Sequence, residues 1–328
     1  MNIREVNKDC PEVWRTLGKG LTKGVFQLES SLGKQWTKRL KPTSIEHLCA
    51  LGALLRPGCL RAIDKNHDCS LTELYCRRKN GEAVTEYFHP RLEPILKTTY
   101  GVLTYQEQAM EIARVFAGLN LQEADMLRKA IGKKLPEEMA KVEIMCREGA
   151  VKTGIVTVAE WEEIFGWIKE SQRYSFNKSH SLSYAVNGYW SAYAKTHLPI
   201  QFFTSWLRNA KEKQDPLMEI RELVNEARLM DIEVLTPDLR NMKKYFSTDG
   251  KKIQFGLADV KGIGEAQVEK LKQAVTMAEA TYGKKIQDLN WYDFLILVSP
   301  NVSTTVVERL IEVGALSYMD EELKHVKN

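Results

Sequence analysis

Apolar residues recur at helical spacing through the first two-thirds of this chain, and that period decides what it can fold into. Leu32, Trp36 and Leu40 fall four residues apart, with Lys34, Lys38, Arg39 and Lys41 between them. This spacing predicts a helix with one buried stripe and a basic face. Thr43-Ser44-Ile45-Glu46 reads as a capping box, because the Thr hydroxyl and the Glu carboxylate can each satisfy a free amide at a helix start. The helix it opens should stop at Arg56-Pro57-Gly58. Another is predicted from about Tyr105 to Ala117, ending at Gly118. Asn120 and Glu123 then cap a further helix, with Leu127 and Ile131 on its core side. Trp161, Ile164, Phe165 and Ile168 mark another, and Leu182 to Lys195 one more.

The pattern changes near Lys211. Lys211-Glu212-Lys213-Gln214-Asp215-Pro216 is polar and contains a proline, which marks a domain boundary. Beyond one more helix, Ile232 to Leu235 reads as a short strand. The segments Tyr245–Thr248 and Lys251–Phe255 flank Asp249-Gly250, a pair that supplies the positive φ of a tight hairpin. The fold class is therefore mainly α with a small β-hairpin element. With 328 residues, two domains of roughly 150 are the ordinary expectation.

Composition excludes several classes. A net charge of +4 permits nucleic-acid binding without demanding it, so a basic surface must come from local clustering. No apolar run approaches the ~18 residues of a membrane span, and the start lacks the apolar segment of a signal peptide. The six cysteines form no C-x-x-C pair, which reads as reduced cytosolic thiols. The six histidines include no H-x-H or H-E-x-x-H, so the expected metal set on this chain is none.

Three segments carry chemistry. Tyr174-Ser175-Phe176-Asn177-Lys178-Ser179-His180-Ser181 precedes a helix, where free amides and the dipole favour anions. Lys178, His180 and the hydroxyls could surround a phosphate; a helix cap with a surface lysine explains them as well. In Asp125-Met126-Leu127-Arg128-Lys129-Ala130-Ile131-Gly132-Lys133-Lys134, the spacing gathers Arg128, Lys129 and Lys133 on one helix side. That face suits phosphate, or is simply solvated. Val260-Lys261-Gly262-Ile263-Gly264 opens a helix with Val268 and Leu271 inward, and its glycines let backbone amides approach a phosphate without reading bases. This is the hairpin of a helix-hairpin-helix module. Ser175-x-x-Lys178 and Lys152-Thr153-Gly154 match pieces of an acyl-transferase pattern, but in the wrong order and with no S-D-N between them.

Taken together, these segments resemble the bacterial replicative C-family DNA polymerases, the alpha subunit of DNA polymerase III. The resemblance is carried by Gly24-Val25-Phe26-Gln27-Leu28-Glu29-Ser30, Leu55-Arg56-Pro57-Gly58 and Thr99-Tyr100-Gly101-Val102-Leu103-Thr104-Tyr105-Gln106-Glu107-Gln108. It continues through the 124–134 segment and Phe176-Asn177-Lys178-Ser179-His180-Ser181, in the family's order, from about Gly20 to Met319. Cys59 stands where the family commonly has Pro, Lys129 for Arg, Ile131 for Met and Ser175 for Gly. Lys129 keeps its charge but loses the bidentate fork of arginine.

The resemblance implies a fingers-like helical domain followed by a helix-hairpin-helix module. Residues 1–23 would join or contact a palm, 24–210 would bind nucleotide, and 211–328 would hold a linker helix, the β element and the DNA-binding hairpin. It further implies that Arg128, Lys129, Lys133, Lys134, Lys178, His180, Arg56 and Gln106 face an incoming deoxynucleoside triphosphate, and that Lys261, Gly262 and Gly264 hold primer-template DNA. Two-metal nucleotide addition needs palm aspartates, and no two aspartates here stand one residue apart; the nearest pairs are Glu123-x-Asp125 and Asp231-x-Glu233. The expectation is a split polymerase, bacterial or phage-encoded and cytoplasmic. Its palm and Mg²⁺ would come from a partner chain, and a sliding clamp would be reached through another chain. The alternative is a repurposed, non-catalytic DNA-binding protein. Val13, Trp14 and Leu17 would either form the exposed partner surface or pack onto the chain's own core.

Overall fold

The computed structural model describes residues 5–64, 66–133, 136–171 and 175–320, the side chains of 131–136 excepted. The chain divides into two compact units, Met1–Thr196 and His197–Asn328. Both are mainly helical. Among the described residues no helix is long and apolar enough to cross a membrane.

The first unit contains α1 (Pro11–Gly18), α2 (Ser31–Leu40), α3 (Ile45–Leu54), α4 (Pro57–Arg61) and α5 (Leu71–Lys79). They are followed by α6 (Glu93–Leu96), α7 (Gln106–Ala117), α8 (Leu121–Lys133), α9 (Pro136–Thr153), α10 (Val158–Ser171) and α11 (Lys178–His197). Two apolar cores form within it. One joins Val13, Leu17, Leu40, Leu51 and Leu54 to Tyr75, Tyr105 and Tyr189. The other is built from α7 to α10 around Phe116, Leu127, Trp161 and Ile168. Each fully buried side chain of this size contributes roughly 1.5–3 kcal/mol. Val13, Trp14 and Leu17 thus belong to the chain's own core, with the Trp14 ring 4.8 Å from that of Tyr189, and they offer no exposed partner surface.

Two local readings need correction. The buried stripe of α2 is Gly33, Thr37 and Leu40. A β-carbon at Gly33 would lie 2.8 Å from the Leu28 carbonyl oxygen, so α2 rests directly on backbone there. The rotation this requires leaves Leu32 41% exposed. The cap of α3 lies one residue later than the capping box predicts. Ser44 accepts from the His47 amide at 3.3 Å, while Glu46 faces Lys178 at 3.2 Å. The Asn120–Glu123 box is present as expected: Glu123 accepts from the Asn120 amide at 2.8 Å and Asn120 from the Glu123 amide at 3.0 Å. A two-stranded antiparallel pair, β1 (Ile63–Asp64) with β2 (Cys69–Ser70), has no counterpart in the sequence reading.

The second unit holds α12 (Pro199–Asn209), α13 (Pro216–Leu229), α14 (Glu265–Tyr282), α15 (Trp291–Asp293) and α16 (Thr304–Glu312). Its sheet has the order β3 (Val234–Leu235), β5 (Ile253–Gln254), β4 (Ser247–Thr248), with β3 parallel and β4 antiparallel to β5. The expected Asp249-Gly250 turn joins β4 to β5: Gly250 has φ +93° and Asp249 accepts from the amides of Lys251 and Lys252, each at 2.8 Å. Asp259 ties this sheet to the following hairpin by accepting from the Phe246 amide at 2.7 Å. Burial raises its carboxyl from an ordinary 3.8 to about 6, against the pull of the Phe246 amide, Lys211 and Arg208.

Two stability outcomes follow from this packing. Gly149 lies mid-helix in α9, where propensity alone makes alanine better by about 1 kcal/mol. A β-carbon there would come 2.1 Å from the Ala117 carbonyl oxygen on α7. Gly149→Ala should therefore lower stability by at least about 2 kcal/mol in urea unfolding. For Asp259, a folded-state pKa raised above the unfolded one means that its contribution is fully present below pH 4 and is lost as pH rises through 6. Asp259→Asn keeps an acceptor for Phe246 and removes the buried charge. Its melting temperature should exceed the parent's at pH 7.5, and the gap should close toward pH 4.5.

Candidate nucleotide and DNA interface

The segment Thr104–Gln106 runs extended and pairs with Phe176 as an isolated parallel bridge through Tyr105. The Phe176 amide donates to the Thr104 carbonyl at 3.2 Å, and the Gln106 amide donates to the Phe176 carbonyl at 3.0 Å. Glu107, in the first turn of α7, then accepts from the Lys178 amide at 3.1 Å and from Asn177 Nδ2 at 2.9 Å. A carboxylate at a helix N-terminus meets both a free amide and the positive end of the dipole. The start of α11 is thereby fixed against α7 by the chain's own anion.

The opposite side of α11 is fastened to α3. Ser181 Oγ donates to the Cys49 carbonyl at 2.6 Å, and the Tyr105 hydroxyl donates to Cys49 Sγ at 3.2 Å. Burial pushes the Cys49 thiol above the ordinary cysteine range. The close approach of these helices uses glycine: a β-carbon at Gly52 would meet Ser181 Oγ at 3.3 Å, and one at Gly188 would meet the Phe26 carbonyl at 3.2 Å.

Between α3, the 26–32 segment and α11 opens a cleft of about 480 Å³. Arg56, Phe176 and His180 line it, with Phe26, Leu32 and Tyr184. The Arg56 guanidinium lies 3.7 Å from the centre of the Phe176 ring, a cation–π contact. The structure thus brings Arg56 and His180 into one cleft. Lys178 and Gln106 sit on the neighbouring α7–α11 junction and do not line it. The Lys178 ammonium pairs with Glu46 at 3.2 Å and lies 5.6 Å from the Tyr105 ring centre.

Arg128 and Lys129 sit on α8 and share a single acceptor: Asp125 meets Arg128 at 2.8 Å and Lys129 at 2.9 Å. The Lys129 ammonium, then the Arg128 guanidinium, hold the Asp125 carboxyl below its usual range. Neither cation lines the cleft. The Lys133 side chain, and Lys134 and Tyr174 altogether, lie outside the described residues. Of the hydroxyls near Lys178, Ser179 donates to Asn177 at 2.7 Å and Ser181 is committed to Cys49, so both bond within the protein.

In the second unit, Val260 to Ile263 make a turn closed by the Ile263 amide on the Val260 carbonyl at 3.0 Å. Gly262 has φ +94°, the value that the third position of a type II turn demands of glycine. A β-carbon there would also meet Arg309 Nε at 3.3 Å. The Gly264 amide donates to Gln267, so that amide is used inside the protein. Lys261 is exposed and pairs with no described carboxylate. The helix that follows buries Val268 and Leu271 as expected.

Three of the four carboxylates in the pairs nearest to a palm are committed elsewhere. Glu123 caps α8, Asp125 holds two cations, and Glu233 pairs with Lys252 at 2.7 Å. Among the described residues no group of three or more His, Cys, Asp or Glu is placed to hold a metal.

Sequence reasoning missed the carboxylates that pair with the cations (Glu46 and Asp125), the one that holds the start of α11 (Glu107) and the aromatic wall of the cleft. A signal for the wall existed, since Phe176, His180, Tyr184 and Gly188 fall four apart.

Comparison with known proteins finds two matched regions in the chain. Residues 1–154 match the bacterial DNA polymerase III alpha subunit finger domain, and residues 231–325 match a helix-hairpin-helix motif. The chain is 37% identical to the DNA polymerase III subunit alpha of Aquifex aeolicus and 38% identical to that of Pseudomonas aeruginosa, in each case over 99% of this chain and 27% of the relative. With that of Thermus aquaticus it shares 36% identity over 94% of this chain and 24% of the relative. The chain therefore spans about a quarter of the length of the curated relatives it matches. By its two matched regions and this identity along nearly its whole length, the chain belongs to the family of the bacterial DNA polymerase III alpha subunit, of which it carries the finger domain and the helix-hairpin-helix region.

Proposed function

We propose that this chain supplies the nucleotide-facing and duplex-facing surfaces of a C-family DNA polymerase, and that a palm-bearing chain supplies the catalytic carboxylates with their Mg²⁺. The observation that carries this reading is the junction of α3, α7 and α11. There the backbone of Lys178 and Gln106 is held by Glu107 and the Tyr105–Phe176 bridge, in the segments that carry the sequence resemblance. Among the described residues no carboxylates cluster as a two-ion site needs, and Glu123, Asp125 and Glu233 are engaged in capping and ion pairs.

In this reading Lys178, Arg128 and Lys129, with Lys133 and Lys134, form the cationic wall that positions the triphosphate and compensates charge as pyrophosphate leaves. In the resting chain Lys178 is paired with Glu46, and Arg128 and Lys129 with Asp125. These pairs are partly exposed and worth roughly 0–1 kcal/mol each, so a multiply charged phosphate can replace the carboxylates at small cost. The exposed Lys261 and the turn at Gly262 would contact duplex backbone without reading sequence.

Primer extension tests the assembly. The purified chain alone should extend nothing, and addition of a palm-bearing chain with Mg²⁺ should restore synthesis. In that assembly Lys178→Ala should lower single-turnover incorporation by roughly 10²–10³ while leaving primer-template affinity nearly unchanged. Metal-dependent extension by the chain alone would sink the split-enzyme reading; stable binding to the palm chain without extension would favour the non-catalytic DNA-binding module. For the hairpin, Lys261→Ala should weaken duplex binding equally for unrelated sequences. It should also reduce the slope of log affinity against log salt by about one.

A further inference from the structure

The cleft itself carries a second reading. Four rings follow one another along it: Phe26 to Tyr184 at 5.4 Å, Tyr184 to His180 at 4.5 Å, and His180 to Phe176 at 5.3 Å. The Arg56 guanidinium closes the row, 3.7 Å from the centre of the Phe176 ring. This is not the packing of a core, because Phe26 is 40% and Tyr184 39% exposed. A row of water-facing rings is costly to keep unless flat apolar ligands cover it. At about 480 Å³ the cleft falls in the size range of ligand sites.

The lining tells against a phosphate pocket. Among the described residues no lysine and no carboxylate lines the cleft, and the Arg56 guanidinium lies against Phe176. What it offers is π-surface at successive positions, the requirement for stacking bases without reading their edges.

We propose that this cleft is a stacking platform for unpaired bases of single-stranded DNA, with Tyr184 and Phe26 as its exposed rings. The proposal rests on the reading of the chain as a DNA-handling part of a polymerase, and it assigns His180 and Arg56 to the base side of a strand rather than to triphosphate.

The test uses the full chain with a single-stranded oligodeoxynucleotide that carries one 2-aminopurine, whose fluorescence is quenched on stacking. Wild type should quench it on binding. Tyr184→Leu should abolish the quench and weaken binding about tenfold, with the salt slope unchanged, and Tyr184→Phe should retain both. Matching thermal melts of the three proteins confirm that the exposed substitution leaves the fold intact. An undiminished quench with Tyr184→Leu overturns the proposal. So does quenching of free 2-aminopurine deoxyriboside triphosphate with none in the strand, which would make the cleft a mononucleotide site. Salt-dependent strand binding by wild type without quench overturns the platform alone. No strand binding even at low salt overturns the platform together with the DNA-handling reading.

Discussion

Glu107 holds the first turn of α11 through the Lys178 amide and the Asn177 side chain, and the geometry of both proposed surfaces follows from that anchor. Phe176, Lys178 and His180 all lie within three residues of Asn177. The cleft faces one side of this turn and the Lys178 ammonium the other, so a shift of the turn would move both together. The bridge between Tyr105 and Phe176 adds a second restraint from the same stretch of chain. Ser181 on the Cys49 carbonyl adds a third, from α3. Three attachments, two from the start of α7 and one from α3, define position and orientation, which is what a site needs if its side chains are to be preorganised.

The described cations of the proposed nucleotide surface and of the cleft are answered within the protein. Lys178 has Glu46, Arg128 and Lys129 have Asp125, and Arg56 has the face of Phe176. None of these contacts is buried enough to be strong. They order the side chains and hold down local repulsion, and they yield to a ligand of higher charge.

The helices were legible because burial of one face imposes a period, and α7, α8, α10 and α14 follow theirs closely. The α2 stripe was misread for a physical reason: glycine packs tightest of all yet contributes nothing to an apolar count, so Gly33 was invisible beside Leu32. Strands of two residues such as β1 and β2 are too short to show alternation. The resemblance singled out Lys178, His180 and Arg56 as candidates, but not the side chains they contact. Glu46 and Glu107 lie 132 and 71 residues from Lys178, and nothing local in sequence announces such a pairing. The aromatic row was legible in principle at its spacing of four, but it begins in a loop that reads first for its charges.

The two cores of the first unit differ in how much chain they enclose. The α7–α10 core draws on residues between Leu92 and Ile168, whereas the other joins Val6 through Tyr105, overlapping the start of that range, to Ala185, Tyr189 and Ala192 beyond it. On the ribosome the contiguous core can close as soon as its own residues emerge. The N-terminal helices must wait until α11 has been made, with Val13, Leu17 and Leu51 lacking their final cover meanwhile. Topologically the α7–α10 bundle is an insertion, and the loop-closure entropy of the enclosing core is smallest once that insertion has folded and drawn its ends together. Birth order thus places the formation of the cleft, which needs α3 and α11 side by side, among the last events in the folding of this unit.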